Sequence, residues 1–170
     1  MPPILTDLIA QNLTVIFCGI NPGLKSAWDG HHFSGRSNRF WKVLHQAGFT
    51  PHEIAPVNDA SILDFGYGLT TAVARATVRA DELSKDEFAD SIEAFKFKMT
   101  HYKPKYIAFL GKPAYIAFSG KKLIQWGLQV EEFCGARVWV LPNPSGLNRG
   151  FTLADLVTHY KELHEAISPI

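Results

Sequence analysis

Only two cysteines, Cys18 and Cys134, occur in the chain. That is too few for a disulfide framework, a four-cysteine zinc site or an iron–sulfur cluster held by four thiolates, and both are expected in the core. No apolar stretch approaches the roughly 20 residues of a membrane-spanning helix. The N-terminus carries Asp7 and no basic residue ahead of its short apolar segment, which is not the pattern of a signal peptide. A cytoplasmic protein with no membrane partner is expected. Net charge is nearly absent, at +1, so no global field announces a polyanionic partner. There is no internal repeat, no low-complexity linker, no phosphate-binding P-loop and no Gly-x-Gly-x-x-Gly fingerprint. The histidine pairs His31-His32 and His159/His164 miss the four-residue helical spacing that brings two ligands to one ion. No metal and no organic cofactor are therefore expected. The adjacent acids Asp81-Glu82 and Glu131-Glu132 point apart and read as exposed turns rather than a catalytic carboxylate pair.

What is present is apolar: 46% hydrophobic and 12% aromatic residues in 170, enough for one well-buried domain and short for two, so residues 1–170 read as a single domain. Val15 to Cys18, Tyr106 to Leu110 and Val138 to Leu141 are short unbroken apolar runs with the character of buried strands, and Gly68 to Val73 is a weaker fourth. Helical patterns fall between them. Ser37 to Gly48 predicts a helix with Ser37 as N-cap, Phe40, Trp41, Leu44 and Ala47 on one face, and Gly48 as the stop. Pro51 to Asp64 holds at most a short helix around Ala60. Ser84 and Glu87 form a capping box ahead of Phe88, Ile92, Phe95 and Met99, predicting a long helix to about His101. Pro113 opens a helix through Phe118, and Thr152 with Asp155 caps a last one whose apolar face is Leu156, Tyr160, Leu163 and Ile167. Buried strands alternating with helices predict an α/β fold: a small three-layer structure with a central, mainly parallel four-stranded sheet flanked by helices.

Charge is unevenly placed. From Ala94 to Val130 there are seven lysines and no acids, and a second basic cluster comprises Lys25, Arg36, Arg39 and Lys42. Thr50 to Glu93 instead carries nine acids against Arg75, Arg79 and Lys85. This distribution suits one basic, nucleic-acid-binding face, but charge runs are more often ordinary solvated surfaces.

Two strands end in loops of the same unusual composition, Gly19-Ile20-Asn21-Pro22-Gly23 and Leu141-Pro142-Asn143-Pro144-Ser145-Gly146-Leu147-Asn148-Arg149-Gly150. In parallel sheets the carboxyl ends of strands form ligand crevices, so the two loops are placed to converge on one site; Asn, Pro and Gly are also ordinary turn formers. No periodic pattern buries Leu147. It is either folded back onto the body or an apolar wedge for a base stack, with Arg149 beside it.

Together with Asn38-Arg39-Phe40-Trp41-Lys42 and Gln46-Ala47-Gly48-Phe49, these loops resemble the mismatch-specific uracil/thymine-DNA glycosylases, a branch of the uracil-DNA glycosylase superfamily. The resemblance runs in order over nearly the whole chain and is weakest from Pro51 to Ser91; at Thr71 many relatives place lysine or asparagine. It implies a monomeric, monofunctional enzyme of base excision repair that flips a base out of double-stranded DNA containing mismatched or damaged bases. Uracil would be the main substrate, with thymine or exocyclic cytosine adducts removed more slowly, all from mispairs with guanine. Asn21 would orient the attacking water. Ile20, Gly23, Ser26, Phe33 and Asn143 would form the base pocket, with backbone N–H groups near Ile20 and Phe33 framing the edge of uracil. Phe33 would stack on the base, and Gly23 would leave room for a 5-methyl group. Leu147 would fill the vacated stack while Gly146 and Arg149 face the widowed base. The rival expectations are a mismatch- or damage-binding α/β module with little catalysis, and a small-molecule nucleotide-binding protein.

Overall fold

A computed structural model describes residues 1–168 of the chain. Its centre is one sheet in the order β2-β1-β3-β5-β4, built from β1 (Val15–Gly19), β2 (Tyr67–Thr71), β3 (Tyr106–Leu110), β4 (Gly127–Leu128) and β5 (Arg137–Leu141). The first three pairings are parallel and β4 runs antiparallel along β5. The sheet thus has five strands where four are expected from the sequence. The extra one is only two residues long, too short to leave a periodic signal.

Alternation along the strands divides the interior into two cores. A short helix, α1 (Leu24–Asp29), follows the loop after β1. Val15 and Phe17 of β1, with Ala108, Leu110 and Leu141, face a layer made of α2 (Phe40–Gln46) and α5 (Leu153–Ile167). Ile16 and Cys18, with Ile107, Phe109, Val138 and Val140, face α3 (Lys85–Tyr102) and α4 (Lys112–Ser119). Central strands covered on both sides read as continuous apolar runs, which is why β1, β3 and β5 are visible in the sequence. Burial holds the Cys18 thiol far above its ordinary pKa, so it is an inert core residue. Cys134 is not a core residue: it sits half-buried at φ 51° in the tight turn closed by Phe133 and Ala136.

Both capping boxes form. Ser84 Oγ accepts from the Glu87 N–H and Thr152 Oγ1 from that of Asp155, each acid returning the bond to the capping residue. The expected helix from Ser37 is shorter, because the three residues before Phe40 are spent elsewhere. Asn38 Oδ1, not Ser37, accepts the Phe40 N–H at 2.9 Å, and the Arg39 N–H goes to the Pro144 carbonyl at 3.0 Å. The helix ends at Gln46, with Ala47 as C-cap and Gly48 at φ 99° just beyond it. The weakly patterned segment forms a 3-10 helix, Pro56–Phe65, begun by a proline at its first position.

Glu87 serves twice. Its carboxylate caps α3 through the Ser84 N–H and accepts from Nε and Nη2 of Arg75. The Arg75 hydrogen bonds, with the Ser84 N–H, push the Glu87 pKa down from 4.5 to about 2. A depressed carboxylate contributes stability that is fully present above about pH 4.5 and is lost as pH falls through about 2. Glu87→Gln is therefore expected to be less stable than the parent at pH 7, with the difference shrinking as pH falls from about 4.5 towards 2, as read by urea unfolding at each pH.

Candidate active site

In the strand order 2-1-3, β1 lies between the two strands that come after it in sequence, so the chain leaves its carboxyl end at a topological switch point, the place where open α/β sheets hold ligands. A cavity of about 460 Å³ opens there, within the range of ligand pockets. The loops after β1 and β5 converge on it, and it is walled by Asn21 and Gly23 from the first and by Asn143, Gly146 and Leu147 from the second. Ile20, Ser26 and Phe33 complete the predicted set on its lining. Arg149 is not brought to it: the side chain is exposed and lies off the cavity wall.

Asn21 is held by a segment that the sequence did not single out. Its Nδ2 donates to the Arg75 carbonyl at 2.7 Å and to Thr77 Oγ1 at 2.8 Å. A carbonyl only accepts, so the amide orientation is unambiguous, and the Thr77 hydroxyl is left to donate onward to the Arg79 carbonyl at 2.7 Å. Both amide hydrogens are thereby used, and Oδ1 has no protein donor among the described residues. The backbone is fixed in the same way: Ala72 N–H to Gly19 O, Val73 N–H to Ile20 O, Thr77 N–H to Pro22 O and Leu24 N–H to Thr77 O. Nothing lies within 4 Å of the point where a Cβ would stand on Gly23, so that wall of the cavity is open.

Phe33 sits at φ 52°, a left-handed conformation rare for an aromatic residue. Its turn is clamped by the preceding residue. The His32 N–H donates to Asp59 Oδ2 at 2.8 Å, its Nε2–H to the Thr6 carbonyl at 2.8 Å, and its carbonyl accepts from Trp41 Nε1. Burial holds the His32 pKa below the ordinary histidine value, which fits a neutral ring with its proton on Nε2. One face of Phe33 stacks on Phe40, with centroids 4.1 Å apart and planes at 22°. Ser26 lines the cavity but is 6% exposed, and its Oγ accepts the Ser34 N–H at 3.1 Å; its hydroxyl serves the Phe33 loop.

In the second loop, Asn143 Oδ1 accepts the Ser145 N–H at 2.9 Å, which leaves its Nδ2 as the donor available to the cavity. The Tyr160 hydroxyl, whose pKa is driven up by burial, donates to the Pro142 carbonyl and anchors the loop to α5. Leu147 is 62% exposed, as a core leucine is not. Val78 is 67% exposed and lines the same cavity. No aspartate or glutamate is on the lining, so the site is neutral apart from Lys25, which is paired to Asp29 at 2.9 Å.

The lysine run from Ala94 to Val130 does not lie on one face. Lys103 and Lys105 precede β3 and Lys112 comes after it, so the lysine run is divided between opposite ends of the sheet. Lys98 is paired with Asp7, Lys121 with Glu131, and Lys112 lies 4.5 Å over the Trp126 ring. Arg39 points inward.

A mainly parallel sheet with a neutral cleft at its switch point, one amide locked by its nitrogen and an exposed leucine on the second loop together define an α/β protein with one candidate ligand site. Residues 6–166 match the Uracil DNA glycosylase superfamily, and the chain belongs to that superfamily. Its members hydrolyse glycosidic bonds, with DNA as the partner. A solution NMR structure of a candidate uracil DNA glycosylase from Methanosarcina acetivorans is similar in fold, with a TM-score of 0.67 at 19% identity over 98% of each chain.

Gly146 has a packing role of its own. A Cβ there would lie 2.5 Å from Ser37 Cβ and 2.7 Å from the Ser37 carbonyl oxygen, and the latter cannot yield by a rotamer change. Gly146→Ala is expected to force the loop after β5 away from the segment before α2 and to cost roughly 1–3 kcal/mol, the usual range for overpacking, as measured by urea denaturation.

Proposed function

We propose that this protein is a monofunctional, mismatch-specific DNA glycosylase that removes uracil, and more slowly thymine or exocyclic cytosine adducts, opposite guanine. The observation that carries the reading is the state of Asn21: its nitrogen is committed to Arg75 and Thr77, and its oxygen is left to hold a water. Hydrolysis of the N-glycosidic bond adds water oxygen to C1′ while the C1′–N bond breaks and its electron pair leaves with the base. A carboxamide orients such a water without taking its proton, which passes to solvent. With no carboxylate on the lining, rate depends on positioning and on the leaving base. Uracil leaves as a delocalised anion, to which Nδ2 of Asn143 would donate; the bond from the Ser145 N–H to Oδ1 supports that orientation.

The base would enter against Phe33 on the cavity lining, where stacking is worth roughly 1–3 kcal/mol. The open space at Gly23 supports tolerance of a 5-methyl group or a fused ring. With so permissive a pocket, selection falls on the cost of extrusion, which is lowest at mispairs. Leu147, 62% exposed at the rim, fills the vacated stack, and Gly146 and Arg149 face the widowed guanine.

Duplexes carrying G:U, A:U and G:T pairs, read by alkaline cleavage at abasic sites, test the assignment; G:U is expected to react fastest. Asn21→Ala should lose about a hundredfold or more in base release while retaining mismatch binding. Full activity in that variant, or a strand nick without alkali, would overturn the assignment. The wedge is tested separately. Leu147→Ala is expected to lose roughly tenfold or more on the G:U duplex and much less on uracil in a single strand, because only the duplex has a stack to break. Equal losses on both, with a lower melting temperature, would make Leu147 a packing residue.

A further inference from the structure

Arg39 belongs by sequence to a basic cluster, yet its guanidinium is turned into the protein. Nε donates to the Pro144 carbonyl at 3.3 Å, Nη1 to Phe151 O at 2.6 Å, and Nη2 to both Ser145 O at 2.8 Å and Asn148 O at 2.9 Å. Its backbone N–H also bonds Pro144 O, at 3.0 Å. These carbonyls lie on both sides of Leu147 in a stretch that has neither helix nor strand to satisfy its backbone. Four of the five guanidinium donors are thereby accounted for, in one plane and around one centre. A lysine, with three donors on a single nitrogen, cannot span the same carbonyls.

We propose that Arg39 is a positioning residue for the DNA wedge. It holds the 144–151 loop in the shape that presents Leu147 to the duplex, and it makes no phosphate contact. The proposal rests on the reading of Leu147 given above. A loop ordered before DNA arrives does not have to be ordered on binding, so the benefit of this arrangement appears on the duplex rate.

The test is a double-mutant cycle on the G:U duplex, with the salt dependence of binding as an independent readout. Arg39→Lys should lower kcat/KM about as much as Leu147→Ala does, roughly tenfold. In a Leu147→Ala background the same change should cost less than about twofold, since residues acting through one another are not additive. The slope of log Kd against log salt should be the same for the parent and Arg39→Gln. Three results would overturn the proposal. Equal losses from Arg39→Lys in both backgrounds would leave Arg39 a general structural residue. Near-normal Arg39→Lys activity with a salt slope reduced by about 1 in Arg39→Gln would make it a phosphate contact. Unchanged duplex activity in Leu147→Ala alone would remove the wedge itself, an outcome visible without any change at Arg39.

Discussion

The arrangement depends on the confinement of β1. All five of its residues are buried, with β2 on one side, β3 on the other and a helical layer over each face, so the chain has no freedom until it passes Gly19. The residues just beyond Gly19 are tied down at once by the 72–77 segment, which bonds the backbone at Gly19, Ile20 and Pro22 and then takes the Asn21 amide nitrogen. A side chain two residues beyond a central strand, with both of its donors satisfied, can present its remaining acceptor to one point in space. In the proposed reaction that rigidity is what an uncharged water-positioning group requires, because it has no proton-transfer chemistry to compensate for misplacement.

Two loops of similar composition reach the same cleft by different physics. The loop after β1 is fixed by backbone pairing with a neighbouring segment, and the Phe33 turn beyond the next helix by the clamp on His32. The loop after β5 has one backbone bond to a neighbouring segment, from the Arg39 N–H to Pro144 O, and is otherwise gathered around a cation, with Tyr160 at one end and the close contact of Gly146 with Ser37 in the middle. The residues before α2 are what make this possible: Ser37 and Arg39 meet the 144–151 loop, while Asn38 between them accepts the first N–H of the helix. In the proposed reaction the first loop holds the chemistry and the second opens the duplex, so separate elements set the bond-breaking step and the choice of site.

Much of this was legible without coordinates. β1, β3 and β5 stand out because a strand covered on both faces must be apolar throughout, and α3 and α5 because each begins with a capping box and keeps its apolar face in period. The two Asn-Pro-Gly-rich loops at strand ends were legible as one site, and eight of the nine proposed site residues do line one cavity. The charges misled. A sequence shows Lys98, Lys121 and Arg39 as cations, but whether each faces solvent, an acid or a carbonyl depends on partners 91, 10 and about 106 positions away. Thr77 and Arg75 escaped notice for a related reason: they act on Asn21 through a hydroxyl and a main-chain carbonyl, and any residue carries a carbonyl.

Local regularity, then, was written into the order of residues: periodicity, caps, turn residues and the apolar strands are all interactions between residues a few positions apart or with solvent. The fate of each polar group waited on the packing of distant elements. The free oxygen on Asn21, the inward guanidinium of Arg39, the hydroxyl of Ser26 turned to Ser34 and the exposure of Leu147 all result from which distant backbone atoms lie within hydrogen-bonding distance. A hydrogen bond is decided at about 3 Å, and that distance is set only when separate elements have packed.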